Sequence, residues 1–174
     1  MALLENERIC LRALEPEDLD ALYRWENDTE LWRYGSTLTP YSRFALRDYI
    51  NNSLRQDIFQ LHQLRLMIAL KATNTVIGTV DLFNFDAIHR RAGVGVLLDR
   101  DYQGHGYAAQ AVNLLKIYAR EVLRLQQLYA EVPISNVSSI KLFGRSGFEE
   151  SGRLKAWLHT PQGFCDILFL QCFL

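Results

Sequence analysis

The sequence predicts a single mixed α/β domain. Three observations predict it. Several segments alternate apolar and polar residues between turn signals. One long stretch repeats apolar residues every third and fourth position, and a glycine loop joins a strand to that stretch. No linker, repeat or low-complexity run divides the chain, so residues 1–174 are read as one domain.

Glu7–Leu14 alternates, with Ile9, Leu11 and Ala13 on one face and Arg8, Cys10 and Arg12 on the other, which predicts a strand. Pro16 followed by Glu17 and Asp18 marks a helix start, because proline presets φ and acids suit the positive helix end. That helix is expected to run to about Asn27, with Leu19, Leu22, Tyr23 and Glu26 on one face. Residues 29–41, with Trp32, Tyr34, Gly35, Pro40 and Tyr41, read as an aromatic-rich connector. A second helix is expected from Ser42, with Phe44, Ala45, Tyr49 and Leu54 among its inward candidates. Leu64–Lys71 and Val76–Phe85 read as strands joined by the turn Ala72-Thr73-Asn74-Thr75, and Ala92–Leu98 as a third strand of this run. Tyr107–Leu123 is the clearest helix, its inward stripe being Ala108, Ala111, Val112, Leu115, Ala119 and Val122. Leu128–Ile134 is an apolar strand and Ser138–Ser146 a short helix. Phe148–Leu158 and Phe164–Cys172 form a closing strand pair across Thr160-Pro161-Gln162-Gly163. The total is about seven strands and four helices.

Composition narrows the function. Charged residues make up 22% of the chain with a net charge of −1, so no global field attracts nucleic acid or an anionic membrane. No segment approaches the roughly 20 apolar residues that span a bilayer. The opening MALLENER lacks the pattern of a secretory signal. Three scattered cysteines, Cys10, Cys165 and Cys172, predict no disulfide framework, and a reducing cytoplasm is the expected compartment. His62, His89, His105 and His159 include no helical i, i+4 pair, so no metal site is expected.

The loop Gln103-Gly104-His105-Gly106-Tyr107-Ala108 carries the chemistry. Gly104 and Gly106 permit a sharp turn and close approach of a ligand to the backbone. The loop ends at a helix start, where unpaired N–H groups and a partial positive charge suit a pyrophosphate. It lacks the Gly-Lys-Ser/Thr of a P-loop and the third small residue of the dinucleotide fingerprint. Some thirty residues on stands Asn136-Val137-Ser138-Ser139-Ile140-Lys141-Leu142-Phe143-Gly144-Arg145-Ser146-Gly147-Phe148. There Asn136 can cap a helix or donate its amide to a ligand, and Gly147 suits the helix C-terminus.

The pair of motifs, Gln-x-x-Gly-x-Ala and then Asn-x-x-Ser-x-x-Leu-Phe-x-x-x-Gly-Phe, resembles the GNAT acetyltransferase superfamily. The resemblance covers nearly the whole chain. Arg8–Asp28, His89–Ala92 and the tail from Glu150 to Cys172 look like the spermidine/polyamine and ribosomal-protein N-terminal acetyltransferase branches. The resemblance implies a GNAT-like domain with a central, mostly antiparallel sheet and a parallel splayed strand pair. It implies acetyl-CoA as co-substrate and a primary-amine acceptor, either a small molecule such as a polyamine or a peptide N-terminus. A weakly catalytic acyl-CoA-binding module is the alternative from another class, and a homo-oligomer stays open.

Residue by residue, the resemblance implies that the backbone of Gln103, Gly104, His105, Gly106, Tyr107 and Ala108 binds the pyrophosphate. Val96, Leu97 and Leu98 would pair with the pantetheine arm like an added strand, and Asn136 would bond that arm. Ser139, Phe143, Gly144 and Arg145 would lie along the cofactor, and Lys141 shares a helix face with Arg145. Acetyl transfer needs a neutral amine, whereas a lysine-like amine has a pKa of about 10.4 and must lose a proton first. Glu131, in the apolar strand Leu128–Val132, is the leading base candidate, expected to be desolvated there. Asp81 is the second catalytic candidate. Many relatives carry a Tyr where this chain has Phe143, and a phenyl ring donates no proton. Tyr129, Ser138, Ser139 or water would then serve as the acid, or the thiolate leaves unassisted. Glu26, Asp28, Glu30 and Asp81 are candidates for holding a polycation, and Trp25, Trp32, Tyr34 and Tyr41 for lining an acceptor pocket.

Overall fold

The computed structural model describes residues 3–32, 34 and 37–174; Met1 and Ala2 of the opening segment and Gly35 of the aromatic connector lie outside the described residues. The seven strands are β1 (Ile9–Ala13), β2 (Leu64–Leu70), β3 (Val76–Asp86), β4 (Arg91–Leu98), β5 (Gln127–Pro133), β6 (Glu149–Thr160) and β7 (Gly163–Phe173). They form one sheet in the order β1-β2-β3-β4-β5-β7-β6. Every neighbouring pair is antiparallel except β4 and β5, which are parallel. The helices are α1 (Leu19–Glu26), α2 (Thr29–Trp32), α3 (Arg43–Arg55), α4 (Ile58–Leu61), α5 (Tyr107–Glu121) and α6 (Val137–Arg145). Two of them, α2 and α4, are single turns that the sequence pattern does not announce.

The sheet divides the core in two. On one side α5 presses Ala111, Val112, Leu115 and Ala119 against Leu66, Ile68, Val80, Leu82, Val94, Leu128, Ala130 and Val132. On the other, α1 and α3 bring Leu22, Trp25, Leu46 and Ile50 onto Met67, with Leu97 packed against them. Period-two alternation sends adjacent residues of each strand to opposite sides. Around Met67 and Leu97 the sheet is covered on both faces.

Several expected faces rotate. In α1 the buried pair is Leu22 and Trp25, while Tyr23 is exposed. In α3, Leu46 and Ile50 face inward, four apart on one stripe, and Phe44 and Leu54 are exposed. An aromatic or leucine at a helix start reads as core only if its phase matches the buried stripe, and Ser42 sets that phase by capping the helix with its hydroxyl on Ala45 N–H. Val122, placed on the inward stripe of α5 by sequence, stands beyond the helix and is exposed. Ala13 is likewise exposed at the end of β1. The start of α1 is pinned by Arg12, whose guanidinium donates to both oxygens of buried Asp18 at 2.8 Å.

Candidate active site

The parallel ladder between β4 and β5 has only three rungs, Arg91↔Gln127, Ala92↔Leu128 and Gly93↔Tyr129. Beyond them β4 stays paired with β3 as far as Leu98, and β5 stays paired with β7 as far as Pro133. The two strands therefore part, and the β4 edge from Val94 to Leu98 has no strand on its β5 side. Such an edge offers a row of N–H and C=O groups to an extended chain that carries amides. Val96, Leu97 and Leu98 are half-buried on this edge, with Val96 and Leu98 packed toward the α5 core and Leu97 toward the other.

Past Leu98 the chain makes one 3-10 turn and enters the glycine loop. Gln103 holds the loop to the strand by donating Nε2–H to the Leu98 carbonyl at 3.0 Å. Gly104 and Gly106 take φ of +78° and +80°, a region costly for other residues, and Gly106 is the N-cap of α5. A Cβ at Gly104 would meet nothing within 4 Å, so its glycine is required by backbone conformation rather than by crowding. The loop N–H groups of Gly104 and His105 thus lead directly into those of the N-cap Gly106 and of Tyr107 and Ala108 in the first turn of the fifteen-residue helix α5. His105 is exposed and its ring stacks on Tyr107.

Across the cleft, α6 begins at Asn136. Its Oδ1 accepts from Ser139 N–H at 3.2 Å and from the Ser138 hydroxyl at 2.9 Å. The amide nitrogen of Asn136 makes no hydrogen bond among the described residues, which leaves its donors for a ligand. Ser139 is half-buried, and Gly144, Arg145 and Lys141 are exposed. Phe143 is 4% exposed and packs edge-on against Phe148 at 5.0 Å, so it anchors α6 in the core. Gly147 follows α6 with φ of +84°.

The open side of the sheet, the side of α1 and α3, holds the remaining candidates. The register runs Arg65↔Asp81, then Asp81↔Gly95, and on the far side of the cleft Glu131↔Phe169. Glu131 lies two residues past Tyr129, where β5 has parted from β4. Asp81 thus stands beside a position that has no side chain, and Glu131 faces the same side of the sheet from β5. A Cβ on Gly95 would lie 3.9 Å from Asp81 Oδ2 and 4.0 Å from Phe83, whereas one on Gly93 would strike the Phe83 ring at 2.2 Å. Beside this gap Tyr129 stacks on Phe169 at 5.1 Å and meets Phe83 edge-on at 5.9 Å. The three rings form an aromatic shelf.

Two expectations change here. Glu131 is exposed, because strand alternation buries Leu128, Ala130 and Val132 and turns Glu131 to the open face; the expected desolvation is absent. The four carboxylates are not free charges. Arg65 donates Nε–H and Nη2–H to the two oxygens of Asp81 at 2.9 and 3.0 Å, and Nη1–H to Glu26 at 2.6 Å. Burial opposes the Arg65 charge, but the charge and hydrogen bonds of Asp81, then Tyr49 and Glu26, prevail and hold its pKa well above the ordinary value. Asp28 and Glu30 share Arg100 at 2.9 and 2.8 Å. Of the aromatic candidates, Trp25 is buried and donates to Asp99, and Trp32 donates to the Glu26 carbonyl. Tyr34 and Tyr41 are exposed.

Arg65, Gly95 and Phe169 escaped the sequence reading. Gly93-Val94-Gly95 inside a strand was a usable signal, because glycines two apart keep one face of a strand clear. Arg65 had none, since its meeting with Asp81 depends on a register fixed by the hairpin.

The comparisons with known proteins agree with this geometry. A family model described as acetyltransferase (GNAT) domain matches residues 8–149. The chain belongs to the GNAT acetyltransferases. It is 32% identical over 167 residues to an uncharacterized N-acetyltransferase, p20, of Bacillus licheniformis, covering 96% of this chain and 93% of that one. It is 28% identical over 149 residues to the spermidine N(1)-acetyltransferase of Vibrio cholerae, covering 86% and 83%. The crystal structure of spermidine N-acetyltransferase from Vibrio cholerae in complex with CoA and spermine superposes with a TM-score of 0.87 at 24% identity, over 97% of this chain and 96% of that one, a likeness of fold. The chain is an N-acetyltransferase with acetyl-CoA as its donor. The unpaired β4 edge, the glycine loop and the spare Asn136 amide fit such a donor. Among the described residues no helix is long and apolar enough to cross a membrane, and no cluster of metal-ligating side chains is present.

Proposed function

We propose that this acetyltransferase acts on a primary amine of a small cationic molecule such as a polyamine, with Glu131 as the base. The observation that carries the reading is the gap over Gly95, set beside Asp81 and near the shelf of Phe83, Tyr129 and Phe169, with Glu131 exposed on the same side of the sheet. Carboxylates and aromatic faces both attract alkylammonium groups. The Arg65 cluster with Asp81 and Glu26 sums to −1, and so does the Arg100 cluster with Asp28 and Glu30. That residual charge suits a short cation.

Acetyl-CoA supplies, when bound, a thioester carbonyl for the amine to attack. The glycine loop and Asn136 hold the donor, and the β4 edge aligns its arm toward Gly95. Glu131 accepts the ammonium proton directly or through water, which its exposure permits. Asp81, locked by Arg65, orients the acceptor rather than taking the proton. Phe143 supplies no acid. Ser138 already gives its hydrogen to Asn136, whereas the Tyr129 hydroxyl accepts from Asn84 at 3.3 Å and keeps its own. Tyr129 and Ser139 are the hydroxyls left to protonate the departing thiolate.

A free-thiol assay with acetyl-CoA over spermidine, spermine, monoamines and peptide N-termini tests the reading. Turnover of the polyamines is expected. Turnover with peptides alone would move the activity to protein N-terminal acetylation of the ribosomal type. Tight CoA binding without turnover on the whole panel would make the chain an acyl-CoA-binding module. The three cysteines are free, in keeping with a reducing cytoplasm as its compartment. Exposed Trp157 and Phe164 on the edge hairpin support a homo-oligomer, which light scattering would read.

A further inference from the structure

The glycine loop has an attachment that its own motif does not contain. Asn6 begins β1 by accepting both Arg8 N–H and Ile9 N–H on Oδ1, at 2.8 and 2.9 Å. Its Nδ2 donates to Gln110 Oε1 in the first turn of α5 at 3.0 Å. Two residues on, Arg8 donates Nη1–H to the His105 carbonyl at 3.2 Å, and its guanidinium lies 4.4 Å from the centre of the Tyr107 ring. The start of the first strand is thus fastened to the donor loop nearly a hundred residues away.

Two features of this contact go beyond fastening. In a trans peptide the C=O and the following N–H point in opposite directions. Holding the His105 carbonyl toward Arg8 therefore turns the Gly106 N–H away from Arg8, and this N–H belongs to the donor loop. The second feature is charge. The N-terminal end of α5 is already positive, and an exposed guanidinium held against it adds to that positive potential. No carboxylate shares Arg8 among the described residues. A cation kept at a positive helix end, without a local counter-charge, strengthens the field that an anion on the loop N–H groups meets.

We infer that Arg8 is a positioning residue for the phosphate end of the donor: it fixes the His105–Gly106 peptide in the anion-binding orientation and adds its charge to the loop. This rests on the donor site described above and not on the identity of the amine. Calorimetric titration with CoA, and with pantetheine, which lacks the phosphates, tests it in wild type, Arg8→Ala and Arg8→Lys. Apo melting temperatures run alongside. Arg8→Ala should weaken CoA binding about tenfold, leave pantetheine binding within twofold, and keep the apo protein folded. Arg8→Lys, which keeps the charge but loses the fork, should fall between, by about threefold. Raising the salt concentration should narrow the gap between wild type and Arg8→Ala. An unchanged CoA affinity in Arg8→Ala would overturn the assignment, as would equal losses for CoA and pantetheine, which would make Arg8 a purely structural tie. If pantetheine binds no form measurably, the salt dependence decides: a CoA deficit that does not shrink with salt overturns it. Failure of wild type to bind CoA would instead strike the donor site itself.

Discussion

The proposed donor end and the proposed acceptor end of this site are built from different materials. The donor end is backbone: the unpaired β4 edge, two glycines at positive φ, and the first turn of α5. The proposed acceptor end is side chains placed by strand register on the two sides of the cleft: Arg65 and Asp81 beside the empty place at Gly95, and Glu131 opposite Phe169. Backbone devices depend on local sequence and tolerate change around them. Register devices depend on residues far apart in the chain, and one substitution redirects them. The difference explains how a family can hold one donor while its acceptors vary.

The comparison can be broken at either end. The largest effect is expected from Glu131→Gln, which keeps shape and removes the base; kcat should fall by about two to three orders of magnitude at neutral pH. CoA affinity should hold, and an unaltered pH–rate profile would remove Glu131 from the chemistry. Next is Gly95→Val. Its Cβ meets nothing closer than 3.9 Å, so the fold should survive, while the branches fill the acceptor gap and cost about a hundredfold in kcat/KM. Gly93→Val should behave oppositely, losing stability through its collision with Phe83. Arg65→Ala leaves Asp81 and Glu26 facing each other without their cation, each side chain no more than 23% exposed. It should cost roughly 3 kcal/mol and lower Tm by about 5–10 °C, measured by calorimetry.

The smallest effect concerns pH. Burial works against the Asp99 carboxylate, but hydrogen bonds from Trp25 and the Asp101 backbone, and the charge of Arg24, bring its pKa below the ordinary value. A carboxylate depressed in the folded state stabilises above its unfolded pKa of about 3.9 and loses that contribution as pH falls through the lower folded value. Asp99→Asn should therefore reduce Tm slightly at pH 7, and the deficit should shrink below about pH 4. A deficit independent of pH would assign it to lost packing of Trp25.

Legibility in the sequence follows the same division. The strand and helix pattern was readable wherever a period repeated: all seven strands and the four longer helices lie within a few residues of expectation. The glycine turn and the helix start after it were readable because each of these devices is local. Single turns such as α2 and α4 were not, being too short to show a period. The inward faces of α1 and α3 were misread because size suggested Tyr23, Phe44 and Leu54, whereas phase selected Trp25, Leu46 and Ile50. Glu131 was placed in an apolar strand correctly, yet its side was decided by alternation, which turned it to the open face. Arg65 shows the limit most clearly, since nothing near it in the chain indicates that it will hold two carboxylates.

The three-rung ladder between β4 and β5 has one more consequence. It makes the sheet a book with a short spine: a four-strand leaf and a three-strand leaf, each held by its own hairpins, joined at one end by three residue pairs and by α5 crossing between them. A thread lying in the open gutter becomes the missing part of the binding. A donor bound there as proposed would be a structural member of the folded sheet for as long as it stays, and each turnover would remove and replace a piece of the protein's own architecture.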